Sequence, residues 1–258
     1  MCGATRSIRS GMATERSTTA RRGKRHRGRL VGTFVVIAIL VVGAEAAAHD
    51  SHRTVTRAEA PAIATAVNLR HADLPALRPG ANPITSRERA LDEEFTRCVG
   101  GVANSRAYAA AQSPTFTSSG AAALAIDSTT EILPSAALVR RDLAATSGPN
   151  GIPCLERQLR GVLSTTVPRG DTLQISATRP HEIVAGSDGA FLLRFTAAVE
   201  VRQGSSTVAV PLYYDSIGIA YGQIEIGLQL ESSGTPPSPA LEHRLAVILL
   251  DRALTAIG

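Results

Sequence analysis

Cys98 and Cys154 are the residues with the most definite chemistry to offer. In an oxidising compartment they would form a disulfide closing a loop of about 57 residues, which stabilises by about 4 kcal/mol in the chain-entropy model. Both also fall beside apolar residues at helical spacing, so a pair of buried free thiols is the competing reading. His181-Glu182 opens like a zinc-protease helix, but position 185 is Ala185 and Pro180 opposes a helix there. Gly186-Ser187-Asp188-Gly189 lacks the spacing of a nucleophile elbow and reads as a hairpin turn. Tyr213-Tyr214-Asp215 sets two rings beside a carboxylate, a combination that lines ligand grooves. The plainer reading makes Tyr214 a core residue and Tyr213 and Asp215 edge and turn residues. Tyr213, Asp215 and His181 are thus the candidate ligand surface. An enzymatic alternative, a hydrolase using His181 with Ser187 or Asp188, requires those side chains within hydrogen-bond reach of one another. With no phosphate-cradling glycine loop, no Cys-x-x-Cys and no cluster of metal ligands, the sequence gives no reason to expect a catalytic group, a cofactor or a metal.

The compartment follows from the N-terminal region. Residues 30–44 are uncharged and apolar and follow the basic run of residues 21–29. Such a helix inserts with its cationic flank in the cytoplasm, which places the rest of the chain outside. Carried to Ala48, past Glu45, the stretch approaches the roughly 17–25 residues of a spanning helix. It reads as an anchor in contact with membrane lipid. Cleavage near Ala46 to Ala48, where small residues alternate, would instead release a secreted domain. Residues 1–29 carry nine basic side chains against Glu15, a net +8, leaving the remainder at −3. The basic character of the chain therefore belongs to its tail, and the exported part has no electrostatic footprint for nucleic acid.

The organisation expected is a basic disordered tail (1–29), a membrane segment or signal anchor (30–48), a stalk with four prolines (49–83) and an α+β domain (84–258). Trp is absent and aromatics are 3%, so Leu, Val, Ile and Ala must fill the core. Thr85 and Glu88 have the capping-box spacing, and Leu91, Phe95, Cys98, Val99 and Val102 follow at helical period. One strand is expected after Pro114. Ser135 can cap a helix to about Ala145, and Pro153 opens another carrying Leu155 and Leu159. Beyond Leu173 the period changes to two, with Phe191, Leu193, Phe195, Ala197, Val199 and Val201 sharing one parity. Turns are expected at residues 203–206 and at Asp215-Ser216, and a parity slip at Gly222 predicts a β-bulge. Ser238 and Pro239 then start a helix whose Leu241, Leu245, Ile248, Leu249 and Ala253 cover one face. The fold class is α+β, an antiparallel meander of about four to five strands covered by N-terminal, middle and C-terminal helices and preceded by one transmembrane helix.

Asp73-Leu74-Pro75 at the domain entry, Cys98 ending the first helix, Cys154 in a later one, and Arg202-Gln203-Gly204 between meander strands resemble the extracytoplasmic sensor-like domains and PsbP-like lipoproteins of actinobacteria. Similar domains sit outside membrane-bound protein kinases or carry apolar envelope molecules. The resemblance implies a membrane-anchored, non-enzymatic module that binds an envelope ligand or protein. A carrier of an apolar molecule would need a Leu/Ile/Val-lined cavity between the meander and the last helix.

Overall fold

The computed structural model describes residues 52–81, 85–118, 123–163, 173–178, 184–203 and 206–257. Five helices are α1 (Ala60–Val67), α2 (Ser86–Val99), α3 (Ala136–Ser147), α4 (Gly151–Leu163) and α5 (Pro239–Ile257). The strands are β1 (Arg78–Gly80), β2 (Ala109–Gln112), β3 (Thr115–Thr117), β4 (Leu124–Ile132), β5 (Leu173–Thr178), β6 (Gly189–Gln203), β7 (Ser206–Tyr221) and β8 (Ile224–Ser233).

They make one antiparallel sheet in the order β1-β3-β4-β8-β7-β6-β5, with β2 also paired to β4. The sheet has eight strands instead of four to five. The additional ones, β1, β2 and β3, are three or four residues long, too short to show a period of two.

The pleat divides this sheet into two covered faces. Ile126, Ile132, Ile217, Ile219, Ile224, Ile226, Leu228 and Leu230 point to one face and are fully buried under α1 and α5. Phe191, Leu193 and Phe195 point to the other, against Phe95 of α2 and Ile152, Leu155 and Leu159 of α4. The parity read from β6 is thus real, but its partners are α2 and α4 while α5 covers the opposite face. Ser135 caps α3 by accepting from the Leu138 amide at 3.3 Å, and Ser238 does the same for α5 through Leu241 at 3.3 Å.

Three expectations are corrected. Asp215 and Ser216 make no turn: β7 runs straight through them because Asp215 meets Arg194 on the neighbouring strand. Gly222 is not a bulge. Tyr221 pairs with Ile224, so Gly222 and Gln223 are the two-residue loop of the β7–β8 hairpin, and Gly222 takes φ +56° as the favoured hairpin turns require. Because the paired residues 221 and 224 share a face, the apolar parity must change across that loop.

The third correction concerns residues 52–81, expected as a stalk. Pro61 lies at the start of α1, where its missing amide costs nothing, and Val55, Ala60, Ile63, Ala64 and Val67 are buried against the sheet. Asn68 closes the segment's buried polar requirements by accepting from Ser128 Oγ at 2.9 Å and Thr130 Oγ1 at 3.0 Å. Arg252 of α5 reaches Asp73 at 2.7 Å. At the entry, the Arg53 amide donates to the Ile257 carbonyl at 3.1 Å, so the chain enters and leaves this domain side by side. Among the described residues no helix is long and apolar enough to cross a membrane, and residues 30–48 lie outside them.

Candidate functional site: an apolar cavity on the α4 face

The disulfide between Cys98 and Cys154 ties the last turn of α2 to the first turn of α4, with the two Cα atoms 5.8 Å apart. It replaces the alternative of two free thiols. Held in this way, α4 lies over the β6 and β7 side of the sheet and sets Leu159 above it.

Beside Leu159, between α4 and the sheet, lies a cavity of about 440 Å³. Its floor is Phe195 and Ala197 of β6, Leu212 and Tyr214 of β7, and Glu231 of β8, all on one face by register. Tyr213, Thr117 and Ala125 border it. Phe195 and Tyr214 meet edge to face with ring centroids 6.4 Å apart. The volume lies within the roughly 300–1,000 Å³ of small-molecule sites, and the lining is chiefly carbon, as such sites are.

Few polar groups in the lining are uncommitted. Ser118 Oγ accepts from the Leu124 amide at 2.9 Å, Ser232 Oγ donates to the Thr235 carbonyl at 2.7 Å, and Ser233 Oγ accepts from the Ala123 amide at 3.2 Å. Glu231 is the charged residue among the described lining, and it remains accessible through the mouth of the cavity. Its surroundings of protein raise its pKa above the ordinary carboxylate value. Burial also pushes the Tyr214 hydroxyl well above its ordinary value, helped by the carboxylates of Glu231, Asp127 and Asp92. The phenol therefore stays protonated at neutral pH and offers both a donor and an acceptor.

Further along the same face, Glu131 of β4, Glu225 of β8 and Asp142 of α3 come together. Desolvation pushes Glu131 up to about 7, reinforced by Asp142 and Asp92. Burial, Asp142 and Glu131 together raise Glu225 well above the usual range, and its Oε2 has no hydrogen-bond partner. Asp142 accepts from the Val102 amide. Among the described residues no group of three His, Cys, Asp or Glu side chains is arranged to hold a metal ion.

The candidate residues read from sequence end up apart. Tyr213 borders the cavity. Asp215 is fully buried elsewhere: Arg194 grips it through Nε and Nη2, each at 2.8 Å, and reaches Glu242 of α5 at 2.5 Å. Burial and the Asp215 carboxyl push Glu242 up to about 7, against the pull of Arg194. His181 lies outside the described residues. Ser187 Oγ donates to the Val184 carbonyl at 3.0 Å. Asp188 accepts from the Gly222 amide at 2.6 Å and meets His52 at 3.2 Å, so it holds the β7–β8 loop. The interface of sheet and α5, where a carrier's cavity was expected, is filled by Leu245, Leu249, Leu250 and Ala253.

Phe195, Leu159 and Glu231 join the site without having been marked as site residues in the sequence, and Tyr214, read there more plainly as a core residue, lies on its floor. One signal was present: β6 carries Leu192 on one face between Phe191 and Leu193 on the other. Bulky apolar residues of both parities show that both faces are covered.

No family model matches the chain, and no curated protein matches it. Among solved structures it is similar to the extracellular domain of PknH from Mycobacterium tuberculosis, at 10% identity and a TM-score of 0.44, over 79% of this chain and 99% of that one. The chemistry of the cavity rests on its own residues.

Proposed function

We propose that this chain is a membrane-anchored extracytoplasmic module that binds a small, largely apolar molecule. The observation that carries the reading is the open cavity of about 440 Å³ floored by Phe195, Ala197, Leu212 and Tyr214. Burying an apolar ligand there gains roughly 25 cal/mol for each Å² removed from water. The Cys98–Cys154 disulfide supports an oxidising compartment. The basic run followed by residues 30–48 supports the anchor.

The test uses the full chain in phosphatidylcholine nanodiscs. It has no Trp and four Tyr, of which Tyr213 and Tyr214 border the cavity, so tyrosine emission reports the site directly. ω-Bromodecanol, whose bromine quenches on contact, is expected to remove up to about half of that emission saturably if bound there. Ala197→Phe, which fills the floor, should abolish the effect. Linear, unsaturable quenching, or equal quenching in Ala197→Phe, would overturn the proposal.

A further inference from the structure

Among the described residues that line the cavity, the charge is negative. Glu231 is the ionisable carboxyl in the described lining, and no Arg, Lys or His stands with it there. Asp127 and Asp92 lie near enough to add to its effect on the Tyr214 hydroxyl. A ligand bringing a carboxylate or phosphate would meet Glu231 with no cation among the described lining to receive it, and like charges brought together in a partly dehydrated site repel.

Ser118, Ser232 and Ser233 each hold a backbone atom, as described above. Glu231 and the Tyr214 ring stand on neighbouring strands and face the cavity from the same side of the sheet. An aromatic face beside a carboxylate attracts an ammonium group through the ring quadrupole and direct ion pairing together. Glu231 is open to the cavity mouth, so its partner need not be stripped fully of water.

Resting on the apolar-ligand reading above, we infer that the ligand is an organic ammonium ion on an apolar body, its hydrocarbon over Phe195 and Ala197 and its nitrogen between Glu231 and the Tyr214 ring, which share one face of the sheet. A free carboxylate at the end of the chain is disfavoured by Glu231.

Three probes with one body separate the claims: ω-bromodecylamine, ω-bromodecanol and ω-bromodecanoic acid, each titrated against tyrosine emission of the full chain in phosphatidylcholine nanodiscs. The amine is expected to bind about tenfold more tightly than the alcohol, and the acid more weakly than either. Glu231→Gln should bring the amine to the level that the alcohol shows with the same variant, and far-UV circular dichroism matching that of the unaltered chain shows that the variant is folded. Equal affinity of amine and alcohol in the unaltered chain, or tightest binding of the acid, would overturn the ammonium assignment and leave the apolar site standing. If Glu231→Gln leaves the amine preference intact, Glu231 is not the partner and the assignment fails. Absence of saturable quenching by all three would remove both the site and its ligand class.

Discussion

Glu131→Gln should make the protein more stable at neutral and alkaline pH, and the size of the gain should itself depend on pH. Glu131 sits among Asp142, Glu225 and Asp92 on the covered face of the sheet, and desolvation there moves it from 4.5 to about 7. A carboxyl whose folded value lies above its unfolded one binds its proton more tightly in the native state. Its favourable contribution is complete below pH 4.5 and is lost as pH rises through about 7. The gap of about 2.5 pH units, at about 1.36 kcal/mol each, is on the order of 3 kcal/mol. Glutamine copies the protonated acid in shape and charge, so the variant has nothing to lose across that window. Urea unfolding followed by far-UV circular dichroism at about pH 4 and about pH 8.5 gives the difference between variant and unaltered chain at each end. That difference should grow by about 3 kcal/mol toward the alkaline end. Because Glu225, Asp142 and Glu242 are also raised, the unaltered chain alone shows their summed slope, and the comparison with the variant isolates Glu131. A difference that stays constant with pH would refute the reasoning, whatever its size.

Replacing both Cys98 and Cys154 by Ser should cost about 4 kcal/mol for a cross-link spanning 56 residues, read as a lower urea midpoint with α2 and α4 losing protection from hydrogen exchange first. Arg194→Met should cost about 3–5 kcal/mol by leaving Asp215 and Glu242 buried without their cation. A fall in melting temperature worth under about 1 kcal/mol would show that water reaches them. Gly222→Ala should lose about 1–3 kcal/mol, since φ is +56° and a Cβ would come within 2.8 Å of Ile257 Cδ1. Its effect should appear in the same thermal scan. Intact mass of the mature protein should include residues 30–48, and a new terminus near Ala47 to His49 would exclude the anchor.

Features written in consecutive residues were legible in the sequence. Ser135 and Ser238 announce their helices because a cap and the turn it serves lie within four residues. The long alternation of β6 announces a strand for the same reason. Asp215 was misleading because its partner Arg194 is twenty-one positions away, and a lone aspartate inside an apolar run looks like a turn. Pro61 and an alanine-rich composition drew attention away from α1, although Ala60, Ile63, Ala64 and Val67 recur at i, i+3, i+4 and i+7 and bury against β2, β4 and α5. The cavity is the extreme case. It takes Thr117, Leu159, Phe195, Tyr214 and Glu231 from five elements, and no local pattern joins positions so far apart in the chain.

The meeting of Arg53 with Ile257 has a practical use. A domain whose two ends emerge at one corner can be set into a surface loop of another protein without stretching either, and its ends can be joined while new ones are opened elsewhere. Spliced into a loop of a fluorescent host, residues 52–257 would need only short connectors. Any movement that a bound molecule imposes on α1 and α5 would then pass straight into the host as a change in light.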